Sequence, residues 1–304
     1  MSIDPNPYAS GSADPYEPTY ESEPIDFAQV ISRGIRAANR TLVGAVLVFV
    51  IVGPIQILST AASALIIQGG GFQPPAQGAP PTPQMFAMMG LGCFSCVWFP
   101  IMLIALPWAS GGIYGQLLDR IVGRPVGALG SYGKKFYVRM LLLMLMYVAV
   151  LIVMMIPVWI TGAVLGAGQM QGGQFDPVKI RELSRHPLNV VVSMLFSLGL
   201  TAAGTLMMIA QASIVTHDCR LGDALRNSWR YIGRQTGEVL KLFFIFVGTA
   251  VPMVLLQQIG NFLTTASMLI MLVVGFLSAL YVSYLSVLNP GIVVSAYAAR
   301  HRTG

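Results

Sequence analysis

The sequence predicts an all-α integral membrane protein with six transmembrane helices and both termini in the cytoplasm. Hydrophobic residues make up 55% of the 304-residue chain and charged residues only 10%, whereas a soluble domain carries about 25% charged residues. Mean hydropathy is +0.70. A water-soluble enzyme is therefore a poor fit, and three cysteines are too few for a disulfide-stabilised secreted domain.

Six apolar stretches are long enough to cross a bilayer, which takes about 20 helical residues for about 30 Å of hydrocarbon. They are residues 41–68, 85–107, 137–163, 190–215, 239–258 and 267–298. The first and last exceed the required length, which predicts tilt or bending. Pro290 and Gly291 predict a break or bend in the last stretch.

The distribution of basic residues predicts the orientation. Of 18 Lys and Arg residues, 15 fall on one side of the six spans, in residues 1–40, 108–139, 216–241 and 299–304. Because translocation of basic segments is unfavourable, this side is expected to be cytoplasmic. Residues 1–24 hold five acidic residues, no Lys or Arg and no apolar run, which predicts a disordered tail rather than a signal peptide. The membrane domain is predicted over residues 25–304.

The chain also has the pattern of a threefold internal repeat, over residues of about 25–108, 109–215 and 216–304. Each predicted pair of spans follows a short amphipathic segment, here called an elbow segment, at residues 26–40, 124–132 and 220–235. The span after each elbow segment contains a proline at a similar position: Pro54, Pro157 and Pro252. We therefore predict three elbow helices, each followed by a helical hairpin.

The elbow segments have the composition of helices that lie in the membrane interface. In residues 220–235 apolar residues recur at helical spacing, while Arg226, Arg230 and Arg234 form a stripe on another face. A basic residue near an anionic leaflet gains about 1 kcal/mol. The residues predicted to bind lipid headgroups are Arg33, Arg36, Arg40, Arg124, Lys134, Lys135, Arg220, Arg226, Arg230 and Arg234.

One segment carries a resemblance to a known family. Residues 221–247 read LGDALRNSWRYIGRQTGEVLKLFFIFV, and their Ala-Leu-x-x-Ser-Trp elbow followed by a span resembles the membrane domain of some bacterial glycerophosphodiester phosphodiesterases and of related six-span bacterial proteins. A weaker similarity covers residues 120–150. The resemblance implies a six-span domain in the bacterial inner membrane. It transfers no catalytic residue, because those enzymes carry their chemistry in a separate soluble barrel.

Few residues are candidates for chemistry. Ionisable side chains at mid-membrane would indicate an ion or proton path, but the deepest, Arg139, Glu238 and Lys241, lie in the first turns of spans. Glu238 and Lys241 are expected to pair across one helical turn. One compact cluster suits acid–base chemistry, although an interfacial turn held by salt bridges is the favoured interpretation: His217, Asp218, Arg220 and Asp223.

Two further groups have both a structural and a functional interpretation. Cys93 and Cys96, together with 17 methionines, are chemically suited to Cu(I), but buried apolar packing is favoured, so neither a metal nor a cofactor is predicted. Polar residues inside spans either form interhelical hydrogen bonds or line a cavity shaped by the span prolines. The candidates for cavity lining are Gln56, Gln211, Gln257 and Gln258.

These features predict a non-enzymatic, multi-pass inner-membrane protein. Its arginine-bearing elbow segments are expected to interact with anionic lipid headgroups or to hold partner membrane proteins. The alternative is a transporter or channel for a neutral or amphipathic solute, with kinked spans forming the path. An interfacial lipid-modifying enzyme centred on His217 and Asp218 is a third interpretation. The basic residues follow topology, so they do not indicate a nucleic-acid partner.

Overall fold

The computed structural model describes residues 26–68, 83–167, 187–263 and 268–300, which form eight α-helices and no strand. In chain order they are α1 (Phe27–Asn39), α2 (Leu42–Gln68), α3 (Pro83–Val122), α4 (Leu129–Ala167), α5 (Pro187–His217), α6 (Leu221–Arg234), α7 (Thr236–Leu263) and α8 (Met268–Arg300). Helices α2, α3, α4, α5, α7 and α8 are long and apolar enough to cross a membrane. The all-α class and the six candidate spans are thus confirmed. The predicted acidic tail, residues 1–24, lies outside the described residues.

Two of the three predicted elbow segments are separate helices, and the middle one is not. Helix α1 precedes α2 and helix α6 precedes α7, whereas the end of segment 124–132 forms the first turn of α4. Glycines let α3 and α4 approach closely here, since a Cβ on Gly112 would lie 2.7 Å from the Leu129 carbonyl oxygen. This packing extends both helices beyond the predicted span limits, α3 to Val122 and α4 back to Leu129.

Helix α8 is the centre of the bundle and contacts α1, α2, α3, α5 and α7. Its residues from Ile292 to Tyr297 are at most 2% exposed. Of the break or bend predicted at Pro290 and Gly291, the break is wrong, because α8 continues through both residues to Arg300. Glycine at position 291 instead allows contact with α1, where a Cβ would lie 2.7 Å from the carbonyl oxygen of Gly34.

The bundle is packed mainly at the end that carries α1 and α6. The main buried cluster joins Val30 of α1, Tyr114 of α3, Met140 of α4, Ile214 of α5 and Tyr231 of α6. Toward the opposite ends of the spans large apolar side chains are exposed, including Val97, Phe99, Val153, Trp159 and Met194. In a soluble protein such surface would drive aggregation, so these halves are suited to contact with lipid tails.

Proline residues lie inside α2, α3, α4, α7 and α8 without ending the helices. In two hairpins an aromatic side chain of the second span donates a hydrogen bond to the first span beside its proline. Trp98 Nε1 donates to the Ile51 carbonyl, three residues before Pro54, at 2.7 Å. The Tyr281 hydroxyl donates to the Thr249 carbonyl, three residues before Pro252, at 2.8 Å. Such neighbours stabilise a backbone that a proline disturbs.

Candidate functional site

A cavity of about 250 Å³ lies between α1 and the end of α3, and four arginines dominate its lining. Arg33 and Arg36 come from α1, Arg40 caps the C-terminus of that helix, and Arg120 comes from α3. Ala37 and Ile121 complete the wall. We refer to this feature as the arginine cavity. Since one water takes about 30 Å³ in the liquid, a hydrated phosphate group fits inside it.

The guanidinium groups of the arginine cavity form no ion pair with any described carboxylate. Arg33 donates to the side chain of Gln29 at 2.9 Å, and Arg36 Nε donates to the carbonyl of Ser32 at 3.3 Å. Among the described residues, the Nε atom of Arg120 is buried and has no hydrogen-bond partner. The cavity therefore concentrates positive charge and leaves at least one buried donor unsatisfied, which suits an anion.

The position of α1 follows from local signals at its two ends. Asp26 caps the N-terminus by accepting from the backbone N–H of Ala28 at 3.1 Å. At the other end the Tyr284 hydroxyl of α8 donates to Asn39 Oδ1 at 3.0 Å. Gly34 packs against the backbone of α8, which leaves the arginine side of α1 toward α3.

The sequence predicts headgroup binding by three of the four cavity arginines but not by Arg120. The predicted span ended at residue 107, so Arg120 was counted only as part of a basic cytoplasmic connection. The available signal was the Asp119–Arg120 pair at the end of an extended α3. The other residues predicted to bind headgroups do not line the arginine cavity: Arg124, Lys134, Lys135, Arg220, Arg226, Arg230 and Arg234.

Lys135, one of these residues, belongs to an ion-pair cluster at the end of α5. Asp218 follows α5 with a positive φ of 49°, a conformation that aspartate tolerates better than most residues. Its carboxylate contacts Lys135 Nζ at 2.9 Å and Arg139 Nη1 at 2.5 Å. Burial alone would raise the pKa of Asp218, but the hydrogen bonds and charges of Lys135 and Arg139 outweigh it and lower that pKa. Asp218 thus ties α5 to α4 as a carboxylate.

A second, more deeply buried cluster joins the last helices of the chain. Arg300 at the end of α8 forms an ion pair with Glu238 of α7, and these side chains are 6% and 12% exposed. The Tyr231 hydroxyl of α6 donates to the other Glu238 oxygen at 3.1 Å. The predicted pairing of Glu238 with Lys241 is wrong: Lys241 Nζ lies over the Phe27 ring at 5.4 Å. Helices α6, α7 and α8 are therefore joined through one carboxylate.

An apolar groove of about 370 Å³ lies among α4, α5 and α6. Its wall from α4 is Leu143, Met146, Tyr147 and Val150; its wall from α5 is Ala203, Leu206, Met207 and Ala210; and α6 closes one end with Leu225, Ser228 and Trp229. The Ser228 hydroxyl donates to the Ala224 carbonyl at 2.7 Å, so that it does not offer a free donor to the groove. Trp229 is 72% exposed at this end.

Of the glutamines predicted to line a cavity, Gln56 and Gln211 contribute to neither of these two spaces. Gln211 is buried in α5, with 5% exposure. Gln56 is half-buried in α2. The side chains of Gln257 and Gln258 lie outside the described part of the structure. The assignment of these four residues to a path stays a prediction.

The cysteines occupy two different environments. Cys93 and Cys96 are exposed on α3, so their predicted buried packing is wrong. Cys219 is half-buried beside the α5–α6 junction. Burial raises the pKa of the Cys219 thiol, which disfavours the nucleophilic thiolate. Within residues 26–68, 83–167, 187–263 and 268–300, no three or more His, Cys, Asp or Glu side chains form a group able to hold a metal ion.

Comparison with known proteins adds no assignment to this geometry. The chain matches no protein-family model, no curated protein and no solved structure. The resemblance of residues 221–247 to the membrane domain of bacterial glycerophosphodiester phosphodiesterases therefore stays a prediction.

Proposed function

We propose that the protein is a non-enzymatic, multi-pass membrane protein that binds the phosphate of an anionic lipid headgroup in the arginine cavity. The observation that carries this proposal is the convergence of Arg33, Arg36, Arg40 and Arg120 on one space with no described carboxylate among its lining residues. The lipid-bound protein would organise lipids in the cytoplasmic leaflet or hold partner membrane proteins there.

Phosphate is the anion that best matches this donor set. Guanidinium groups bind phosphate oxygens through paired hydrogen bonds, which are shorter and stronger than those between neutral groups. A buried donor without a partner costs about 1–3 kcal/mol. A phosphate oxygen at Arg120 Nε would remove that cost while neutralising part of the charge on α1. Phosphate binding would therefore stabilise the contact between α1 and α3.

The orientation of the chain supports a cytoplasmic position for the arginine cavity. The positive-inside distribution of 15 of 18 basic residues favours a bacterial inner-membrane protein with both termini inside. We expect a Gln77→Cys variant, in a background with the three native cysteines changed to serine, to react with an impermeant maleimide in intact cells. A Gly222→Cys variant on α6 is the matched control and should react only after lysis. The reverse pattern would contradict this topology.

The proposed internal repeat has support from the two proline-containing hairpins. Trp98 and Tyr281 donate to carbonyls at the same position relative to Pro54 and Pro252. Helices α1 and α6 also precede the first and third hairpins in the same order. This common geometry favours an origin of both hairpins from one structural unit, with the middle elbow segment absorbed into α4.

The ionised state of Asp218 supports a non-enzymatic interpretation. A general base works best with a pKa near the working pH, whereas Lys135 and Arg139 hold the pKa of Asp218 below its ordinary value. His217 packs its ring against Tyr297, with 5.7 Å between centroids. The transporter alternative needs a polar path, which Gln211 does not support because it is 5% exposed and lines neither the arginine cavity nor the apolar groove.

Lipid binding by paired variants tests the proposal. We expect Arg36→Gln/Arg120→Gln to weaken binding of phosphatidylglycerol, measured by native mass spectrometry, by about tenfold or more, since two charge-assisted hydrogen-bonding groups are lost. The matched control, Arg124→Gln/Lys134→Gln, removes the same charge at exposed positions outside the cavity and should weaken binding much less. Binding of phosphatidylcholine, which has no net charge, shows how much of the affinity depends on an anionic headgroup. Binding of inorganic phosphate shows whether the cavity binds a free anion or needs the whole lipid. Equal loss in both double variants would contradict the cavity as the site.

A further inference from the structure

The apolar groove among α4, α5 and α6 has the length and position of a site for a lipid acyl chain. Its walls run from Leu143 to Val150 on α4 and from Ala203 to Ala210 on α5. At 1.5 Å per residue each wall is about 10 Å long, which is about two thirds of one leaflet of a bilayer whose hydrocarbon is about 30 Å thick. The groove is therefore long enough for much of one chain.

The lining determines what can occupy the groove inside a membrane. All α5 residues in it are aliphatic or methionine, and the Ser228 hydroxyl already donates to the Ala224 carbonyl. A water needs two or more polar partners to be held in such a space. The flexible side chains of Met146 and Met207 adapt to irregular apolar ligands. A hydrocarbon chain is thus the occupant whose chemistry matches the wall.

Basic residues and an exposed tryptophan lie at the end of the groove nearest α6. Trp229 is 72% exposed there, and tryptophan prefers the level of lipid headgroups. Exposed Arg226 lies three residues before it on α6. On α4, Arg139 is one turn before Leu143 and shares the single carboxylate of Asp218 with Lys135. Two cations on one carboxylate leave a net positive charge, which complements an anionic headgroup.

We infer that the groove holds one acyl chain of an anionic phospholipid from the cytoplasmic leaflet, with the headgroup at the level of Trp229. This lipid site is separate from the arginine cavity, because the groove is formed by α4, α5 and α6 whereas the cavity is formed by α1 and α3. The inference depends on the membrane-spanning helices and does not depend on headgroup binding by the arginine cavity. The protein then binds lipid in two ways, by headgroup at one site and by chain at the other.

The site can be tested by comparing a leucine substitution inside the groove with one at a neighbouring position outside it. In an Arg36→Gln/Arg120→Gln background, in which the arginine cavity no longer contributes to binding, we expect Ala203→Leu to lower retention of phosphatidylglycerol in native mass spectrometry by about tenfold, since leucine displaces roughly two methylene groups of the chain. Ala202→Leu is the matched control, because Ala202 is exposed on the same turn of α5 and does not line the groove. Unchanged thermal unfolding midpoints show that both variants fold.

Photo-crosslinking of the unmodified protein provides a second measurement that needs no variant. With phosphatidylglycerol that carries a diazirine in one acyl chain, we expect crosslinks concentrated at Leu206 and Met207. The same pattern in Arg36→Gln/Arg120→Gln would show that the groove works without the arginine cavity. Equal retention by the two leucine variants would overturn the inference, as would crosslinks spread evenly over exposed residues such as Leu195 and Val153.

Discussion

Replacement of Arg300 by alanine is expected to destabilise the folded protein by about 3–5 kcal/mol, the usual cost of removing one partner of a buried ion pair. Glu238 would be left buried without its cationic partner, with the Tyr231 hydroxyl as a remaining hydrogen-bond donor. Burial and the neighbouring Glu238 raise the pKa of Tyr231 well above its ordinary value, so its hydroxyl stays neutral and donates a hydrogen bond without supplying a positive charge. The midpoint of thermal unfolding in detergent measures the loss.

Two further variants distinguish the effect of an unpaired buried charge on stability from the effect of removing any arginine. Glu238→Gln/Arg300→Met removes both charges and should recover most of the stability, because an apolar replacement of a buried pair is often nearly neutral. Arg226→Ala on exposed α6 should change the unfolding midpoint little. If Arg300→Ala were no worse than Arg226→Ala, the ion pair would not hold α7 and α8 together.

Gly34→Ala is expected to destabilise the protein by about 1–3 kcal/mol, the range for overpacking a close contact. A Cβ at this position would lie 2.7 Å from the Ile292 Cα and 2.8 Å from the Gly291 carbonyl oxygen. Both atoms belong to the backbone of α8 and cannot move as a side chain can. We therefore expect α1 to separate from α8, which faster hydrogen exchange of the α1 amides would detect.

The sign of this effect distinguishes packing from helix propensity. In an unconstrained helix, glycine to alanine gains up to about 1 kcal/mol. Gly233→Ala on α6 is the matched control, because no atom lies within 4 Å of the position that its Cβ would occupy, and it should be neutral or stabilising. A stabilising effect at Gly34 as well would show that α1 does not pack tightly on α8. Such a result would also count against the arginine cavity, because the contact between α1 and α8 holds the cavity arginines of α1 in position.

Hydropathy was sufficient to predict the six candidate spans, because an apolar run long enough to cross a bilayer is a local property of the chain. The spacing of residues was sufficient to predict α1 and α6, since apolar and basic residues recur there at helical intervals. The end of α3 at Val122 and the start of α4 at Leu129 were placed wrongly for the opposite reason. Residues 108–122 and 129–136 are less apolar than a span, and their helices depend on glycine-mediated contacts between two chain segments.

The residues of the candidate sites were predicted in part. Charge and spacing indicated Arg33, Arg36 and Arg40, but the contribution of Arg120 depends on how far α3 extends. The pairing of Glu238 with Arg300 could not be inferred from the sequence, because 62 residues separate the partners and Lys241 is an equally suitable partner by spacing. The apolar groove left no sequence signal, since its lining residues resemble those of any lipid-facing helix.

The sequence by itself determined the apolar composition of the chain and its six candidate spans, and it predicts the side on which the basic residues lie. These properties depend on the transfer of single segments between water and hydrocarbon, which each segment's own residues decide. Tertiary structure alone decided which cations remain unpaired and which are neutralised. Arg120 faces a cavity while Arg139 binds Asp218, because hydrogen bonds and ion pairs act over a few ångströms and depend on which helices pack together.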